Sequence, residues 1–302
     1  MARGSTSTLF LFAVLILMGA GWGATQPLSK VAVSEGYRHF GLVFWQLVIG
    51  ALALGAVQTV RRIPLRTDSA ALRVYVFIAL VGTVIPNSTS YEAIRHLPSG
   101  LVSILLALVP MFAYPMALLL GNERFVLLRF AGLVFGLIGV LLIVAPEGSL
   151  PDRSMVLFIP IALIAPLFYS FEGNAVARWG TAGLAPMEVL LGASLTGAIL
   201  VLPLALGTGQ FIDPRPPWGA PDWALIAASL IHVVVYTTYV WLVGRAGPVF
   251  AVQVSYLVTG FGVFWAFMFL GERYSAWVWA AMAVMLIGMF LVQPRPRVAK
   301  DA

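Results

Sequence analysis

Ten separate stretches of this chain stay apolar for about twenty residues at a time, and that pattern restricts the fold more than any other feature. They lie near 7–28, 41–60, 72–93, 98–120, 126–145, 155–176, 184–206, 222–244, 248–270 and 275–293. Short turns carrying charge, proline or glycine separate them. A helix of about 20 apolar residues matches the hydrocarbon thickness of a bilayer. In lipid the backbone must satisfy its own hydrogen bonds, which leaves only helices and closed barrels. The expected fold is therefore an all-α integral membrane protein with ten transmembrane helices. Composition supports this: 61% of residues are hydrophobic and 10% charged, against roughly 25% charged in a soluble domain. The first run, behind Arg3, resembles a secretory leader, but nine further spans mark it as a retained helix.

An even number of spans puts both termini on one side. With the termini inside, the inner segments hold Arg3, Arg61, Arg62, Arg66, Arg73, Arg124, Arg129, Arg178, Arg245, Arg295, Arg297 and Lys300, twelve of the 18 basic residues. The outer loops hold Lys30, Arg38, Arg95, Arg153, Arg215 and Arg273. This bias predicts cytoplasmic termini. It also explains the net charge of +6 without nucleic acid as a partner. No cysteine is present, which excludes disulfides and thiolate chemistry. The proline-rich stretch from Gly207 to Trp223 reads as a stiff linker.

The chain also repeats itself. "LLLGNERFVLLR" from Leu118 and "MFLGERYSAWVW" from Met268 share a Gly-Glu-Arg turn, and Glu123 and Glu272 stand 149 residues apart. Upstream, Arg95, Pro98 and Gly121 match Arg245, Pro248 and Gly271 at an offset of 150. The expected domains are residues 1–150 with helices 1–5 and residues 151–302 with helices 6–10. Five is odd, so the second copy enters the bilayer inverted. Inverted repeats recur in secondary transporters, with substrate bound near the midplane.

"WGATQPLSK" from Trp22, "HLPSGLVSILLALVPMF" from His96 and the two Glu-bearing turns carry a resemblance over essentially the whole length. The chain resembles the EamA-type members of the drug/metabolite transporter superfamily. It departs from their pattern at Gln46, where the family often carries arginine, and at Gly260, which stands opposite Pro110. The resemblance implies a ten-helix inner-membrane carrier, commonly an exporter of metabolites or amino acids. It also implies a cavity lined by helices 1, 3, 4, 6, 8 and 9.

Polar groups inside such a bundle are costly and so nominate a site. Trp22, Asn87, Tyr91, His232 and Tyr236 are the expected substrate contacts. His232 lies near the middle of its span with Tyr236 one turn on, and neutral imidazole both donates and accepts. Asn87 follows Pro86 and shares a face with Tyr91; the repeat offset sets these two against Thr237 and Trp241. Glu172, opposite Gln26 at an offset of 146, and His232 are the candidates for coupling to protons or to an exchanged substrate. Gln46, Ser103 and Gln253 are weaker members of the set. Gly132, Gly136 and Gly139 form a close-packing stripe facing Ala281, Met285 and Gly288. No protease, hydrolase or nucleotide-binding motif appears, and no cofactor or metal is called for. The expected partners are the bilayer and a small unphosphorylated metabolite or amino acid, since no basic residue falls near a helix centre. A passive channel and a membrane-embedded enzyme are the alternatives.

Overall fold

The computed structural model describes residues 8–292; Arg3, Arg295, Arg297 and Lys300 lie outside them. Among the described residues all ten expected spans are helical, and no strand occurs. Helix 1 is Thr8–Val33, helix 2 His39–Arg61, helix 5 Leu127–Val144, helix 7 Pro186–Gly207, helix 8 Ala220–Ala246 and helix 10 Ala276–Val292. Helix 6, Ile159–Trp179, follows a 3₁₀ turn at Arg153–Phe158. Helix 9 comprises Pro248–Ala251 and Val254–Leu270. Eight of these spans are long and apolar enough to cross a membrane, and helices 9 and 10 are shorter.

Helices 3 and 4 are irregular where proline dictates, whereas helix 9 is interrupted at Val252–Gln253 with no proline at the break. Helix 3 is α-helical over Ser69–Phe77, π-helical over Ile78–Val84 and α-helical again over Ile85–His96. Pro86 has no N–H for the Gly82 carbonyl, and its ring would crowd that carbonyl in an α-helix. The wider π turn relieves the crowding, and the Ile85 N–H reaches back five residues to the Leu80 carbonyl. Helix 4, expected as one run, stops at Leu106 and restarts at Val109. Pro110 lies four residues after Leu106, so the same conflict ends the first piece there.

Helix 5 packs along helix 10, helix 1 against helices 8 and 9, and helix 2 against helix 7. The glycine stripe makes the first contact close: a Cβ on Gly132 would fall 2.6 Å from the Gly288 carbonyl oxygen, and one on Gly139 2.4 Å from Met285. The outward surface is apolar, with Val60, Leu119 and Ile199 more than 70% exposed. Such a surface is stable against lipid tails and not against water. Helix 1 begins and helix 10 ends at what is termed the terminal face, which also bears the turns after helices 2, 4, 6 and 8. The turns after helices 1, 3, 5, 7 and 9 form the distal face.

Candidate substrate cavity

Helix 2 carries Gln46, helix 3 Asn87 and Tyr91, and helix 6 Tyr169, and these four side chains meet in mid-bundle. Tyr169 donates its hydroxyl to Asn87 Oδ1 at 2.7 Å. Asn87 Nδ2 and the Tyr91 hydroxyl both donate to Gln46 Oε1, at 3.2 and 3.1 Å. Because the amide oxygens are consumed inside this network, the Gln46 amide N–H groups remain as donors.

Two cavities flank the network. One, of about 90 Å³, runs toward the distal face past Gln26, Ser29, Ser90 and Tyr91. The other, of about 100 Å³, runs toward the terminal face past Leu54, Gly82, Leu190 and Ser194. Gln46, Asn87, Tyr169 and His232 line both, forming a polar waist between them. Each cavity has room for several waters or one small polar molecule. Gln26 Oε1 is buried in the first without a hydrogen-bond partner.

His232 closes the ring of waist residues from helix 8. The Trp22 ring lies 6.1 Å from its ring and Tyr236 stacks at 6.3 Å. Trp22 and Tyr236 line neither cavity; they brace His232 from behind. The sixth apolar run, near 155–176, would end about one turn past Glu172. Helix 6 in fact continues to Trp179, about two turns beyond it. Its carboxyl turns inward onto helix 3, where a Cβ on Gly82 would lie 2.6 Å from it.

The repeated turns are used unequally. On the distal face Glu272 accepts hydrogen bonds from Ser99 N and Oγ, both 2.8 Å, from Gly100 N at 3.1 Å and from the Tyr274 hydroxyl at 2.6 Å. The carboxylate of the second repeat thus caps the N-terminus of helix 4 in the first, where the helix dipole favours negative charge. Burial first, and then the Glu272 hydrogen bond, hold the Tyr274 phenol above its ordinary range, so it stays a donor. Lys30, expected in an outer loop, lies in the last turn of helix 1 and donates to the Ile94 and Leu97 carbonyls at 2.7 and 3.0 Å. Tyr37, in the turn after helix 1, donates to Asp222 of helix 8 at 2.7 Å. On the terminal face Glu123 pairs with Arg129 in the first turn of helix 5 and makes no hydrogen bond to helix 9 among the described residues.

A family model described as "EamA-like transporter family" matches residues 9–145 and again residues 156–293. The chain belongs to the EamA-like transporter family. As an EamA-like transporter it is a multi-pass membrane protein. It is 23% identical over 288 residues to a "Probable terminal-alkyne amino-acid exporter" of Streptantibioticus cattleyicolor, covering 93% of this chain and 92% of that one. It is 21% identical over 289 residues to the "Uncharacterized inner membrane transporter YedA" of Escherichia coli K12, covering 93% and 90%. A solved crystal structure superposes with a TM-score of 0.62 at 19% identity over 93% of this chain and 94% of that one, which establishes the likeness of fold.

Within this EamA-like bundle the cavities depart from the expected lining. Helices 2 and 7 contribute Gln46 and Ser194, and among the described residues helix 9 contributes none to either cavity. The pairing of Asn87 with Thr237 and Tyr91 with Trp241 makes no common wall: Thr237 bonds its own helix at Val233, and Trp241 meets Phe10 near the outside. Tyr169 was not anticipated, because one tyrosine in an apolar span is indistinguishable from core. Among the described residues no group of three or more His, Asp or Glu is placed to hold a metal.

Proposed function

We propose that this EamA-like transporter is a secondary carrier that exports a small unphosphorylated metabolite or amino acid across the inner membrane by alternating access. The observation that carries this reading is the waist of Gln46, Asn87, Tyr169 and His232 between two small mid-bundle cavities. A carrier needs one site reachable from either side in turn, and groups lining both cavities are suited to that. The distal face is tied across the repeats by Glu272, whereas its counterpart Glu123 is satisfied locally. That asymmetry supports a resting form closed distally. The alternate form would release Glu272 and close the opposite face. With cytoplasmic termini, the distal face is the outer one.

No lysine or arginine lines either cavity, which disfavours phosphorylated substrates, because phosphate calls for such groups. The donors left on Gln46, the free Gln26 oxygen and the imidazole of His232 suit the carboxylate and ammonium of an amino acid. The name of the Streptantibioticus relative supports that class. The test is counterflow in proteoliposomes with a panel of amino acids, terminal-alkyne amino acids among them, beside organic acids and sugar phosphates. Saturable exchange confined to unphosphorylated compounds is expected, with loss of exchange in a folded His232→Ala protein. Flux that neither saturates nor shows counterflow would mean a channel instead. Unaltered exchange in His232→Ala would remove that residue from the site.

A further inference from the structure

Four carboxylates lie within the membrane-crossing segments: Glu92, Glu172, Glu188 and Asp222. Glu92 pairs with Arg95 and His39, Glu188 accepts the Arg66 N–H, and Asp222 accepts Tyr37 and the Gly219 N–H. Glu172 alone has neither a hydrogen bond nor an ion pair among the described residues. An ionisable group left in this state inside a bundle marks a substrate or ion pathway.

Its position agrees with that. One turn toward the distal face, Tyr169 lines both cavities, and Gly82, against which the carboxyl packs, lines the second. Three residues toward the terminal face, Ala175 joins Ile78 in lining a separate crevice of about 350 Å³ between helices 3 and 6, which Arg73 and Trp179 border nearer the surface. Glu172 therefore stands in the partition between the substrate cavity and a crevice that leads toward the terminal face. It packs on the one residue of helix 3 whose carbonyl Pro86 deprives of its α-helical donor, a setting in which the protonated acid has a donor to offer.

We propose that Glu172 is the proton-binding site of the transport cycle, exchanging protons between the substrate cavity and the crevice between helices 3 and 6. The inference rests on the carrier reading above and assigns coupling to Glu172, leaving His232 to the substrate. A proton adds to a carboxylate oxygen from one compartment and leaves to the other, and no other bond is made or broken. The other titratable or charged groups on the elements around it are Arg73, Tyr75, Tyr91, Glu92, Arg95 and His96 on helix 3, Tyr114 on helix 4, Tyr169 and Arg178 on helix 6, and Asp222, His232, Tyr236, Tyr239 and Arg245 on helix 8. None hydrogen-bonds or pairs with the carboxylate.

The test uses the full chain in proteoliposomes and, as probe, the radiolabelled amino acid that gives counterflow. Taken relative to each protein's own exchange at equal pH, accumulation of the probe driven by a pH gradient should be at least tenfold smaller in Glu172→Gln than in wild type. Accumulation by Glu172→Gln equal to wild type overturns the proposal. So does a wild type driven by a sodium gradient and indifferent to pH. Absence of counterflow for every probe sinks the carrier reading itself. Infrared difference spectra then still decide the proton site: a carboxylic C=O band that titrates with pH in wild type must be missing from Glu172→Gln, and its persistence refutes the assignment. Should that variant not assemble, Gly82→Ala serves, because its Cβ falls on the carboxyl. The pH of half-maximal accumulation must move, and an unmoved profile refutes the assignment.

Discussion

Asn87 acts in the waist as donor to Gln46 and acceptor from Tyr169, so its replacement frees partners on two other helices. A net hydrogen bond contributes about 1 kcal/mol, and a stranded buried partner costs about 1–3. Asn87→Ala should therefore lower the melting temperature in detergent by several degrees and reduce exchange at least tenfold. Tyr169→Phe removes one bond and little volume, so apparent affinity in the counterflow assay should fall about fivefold with the fold unchanged. At the distal face Gly100 has no freedom: an added Cβ would lie 2.0 Å from the Tyr274 oxygen. Gly100→Ala should cost about 1–3 kcal/mol by overpacking, read as lost thermal stability. Tyr274 adds a pH dependence. Its phenol is raised in the folded protein, so its stabilising effect is full below the ordinary phenol range near 10. It is lost as pH climbs through the raised value, and an alkaline melting series against Tyr274→Phe would register it. Asn87, Tyr91 and His232 stand out in the sequence because polar groups are expensive in lipid, and the structure sets them along the cavities. Gln46 was underrated because its partners come from another helix, and partners across helices leave no trace in spacing.

Among the elements, helices 3 and 4 show what hydropathy does and does not encode. Their lengths were readable, since an apolar run of about twenty residues has one use in a bilayer. The π segment before Pro86 and the break before Pro110 were not, because proline in a membrane helix is compatible with a kink, a wide turn or a stop. The cap on helix 4 was half legible: the repeated Glu-bearing turn stood out, but nothing local said that Glu272 would serve a helix 172 residues earlier. Hydrogen bonds to a charged group contribute about 1.5–3 kcal/mol each, and each 1.4 kcal/mol is tenfold in an equilibrium. Glu272→Gln should thus shift the distal side toward opening by at least tenfold. In a Ser90→Cys background, this appears as faster thiol labelling from the distal side. An unchanged labelling rate would show that the contact caps helix 4 without governing access.

For the whole molecule, the ten spans, the inward glycine stripe and the two matching units were all present in the sequence. The unequal use of the two units was not, because identical motifs predict identical contacts. The native chain has no cysteine, so single cysteines at Asn122 and Arg273 are unique probes. Membrane-impermeant reagent should reach them from opposite sides, with Asn122 on the cytoplasmic one; labelling from one side would end the inverted-repeat account. Glu272 reaches into the other half, while Glu123 answers to a neighbour six residues along its own chain. Two copies of the first half laid antiparallel would set this self-satisfied glutamate where a bridging one is required. A protein cut between helices 5 and 6 should therefore reassemble better from one of each piece than from two like pieces, because only the second piece brings the bridging glutamate.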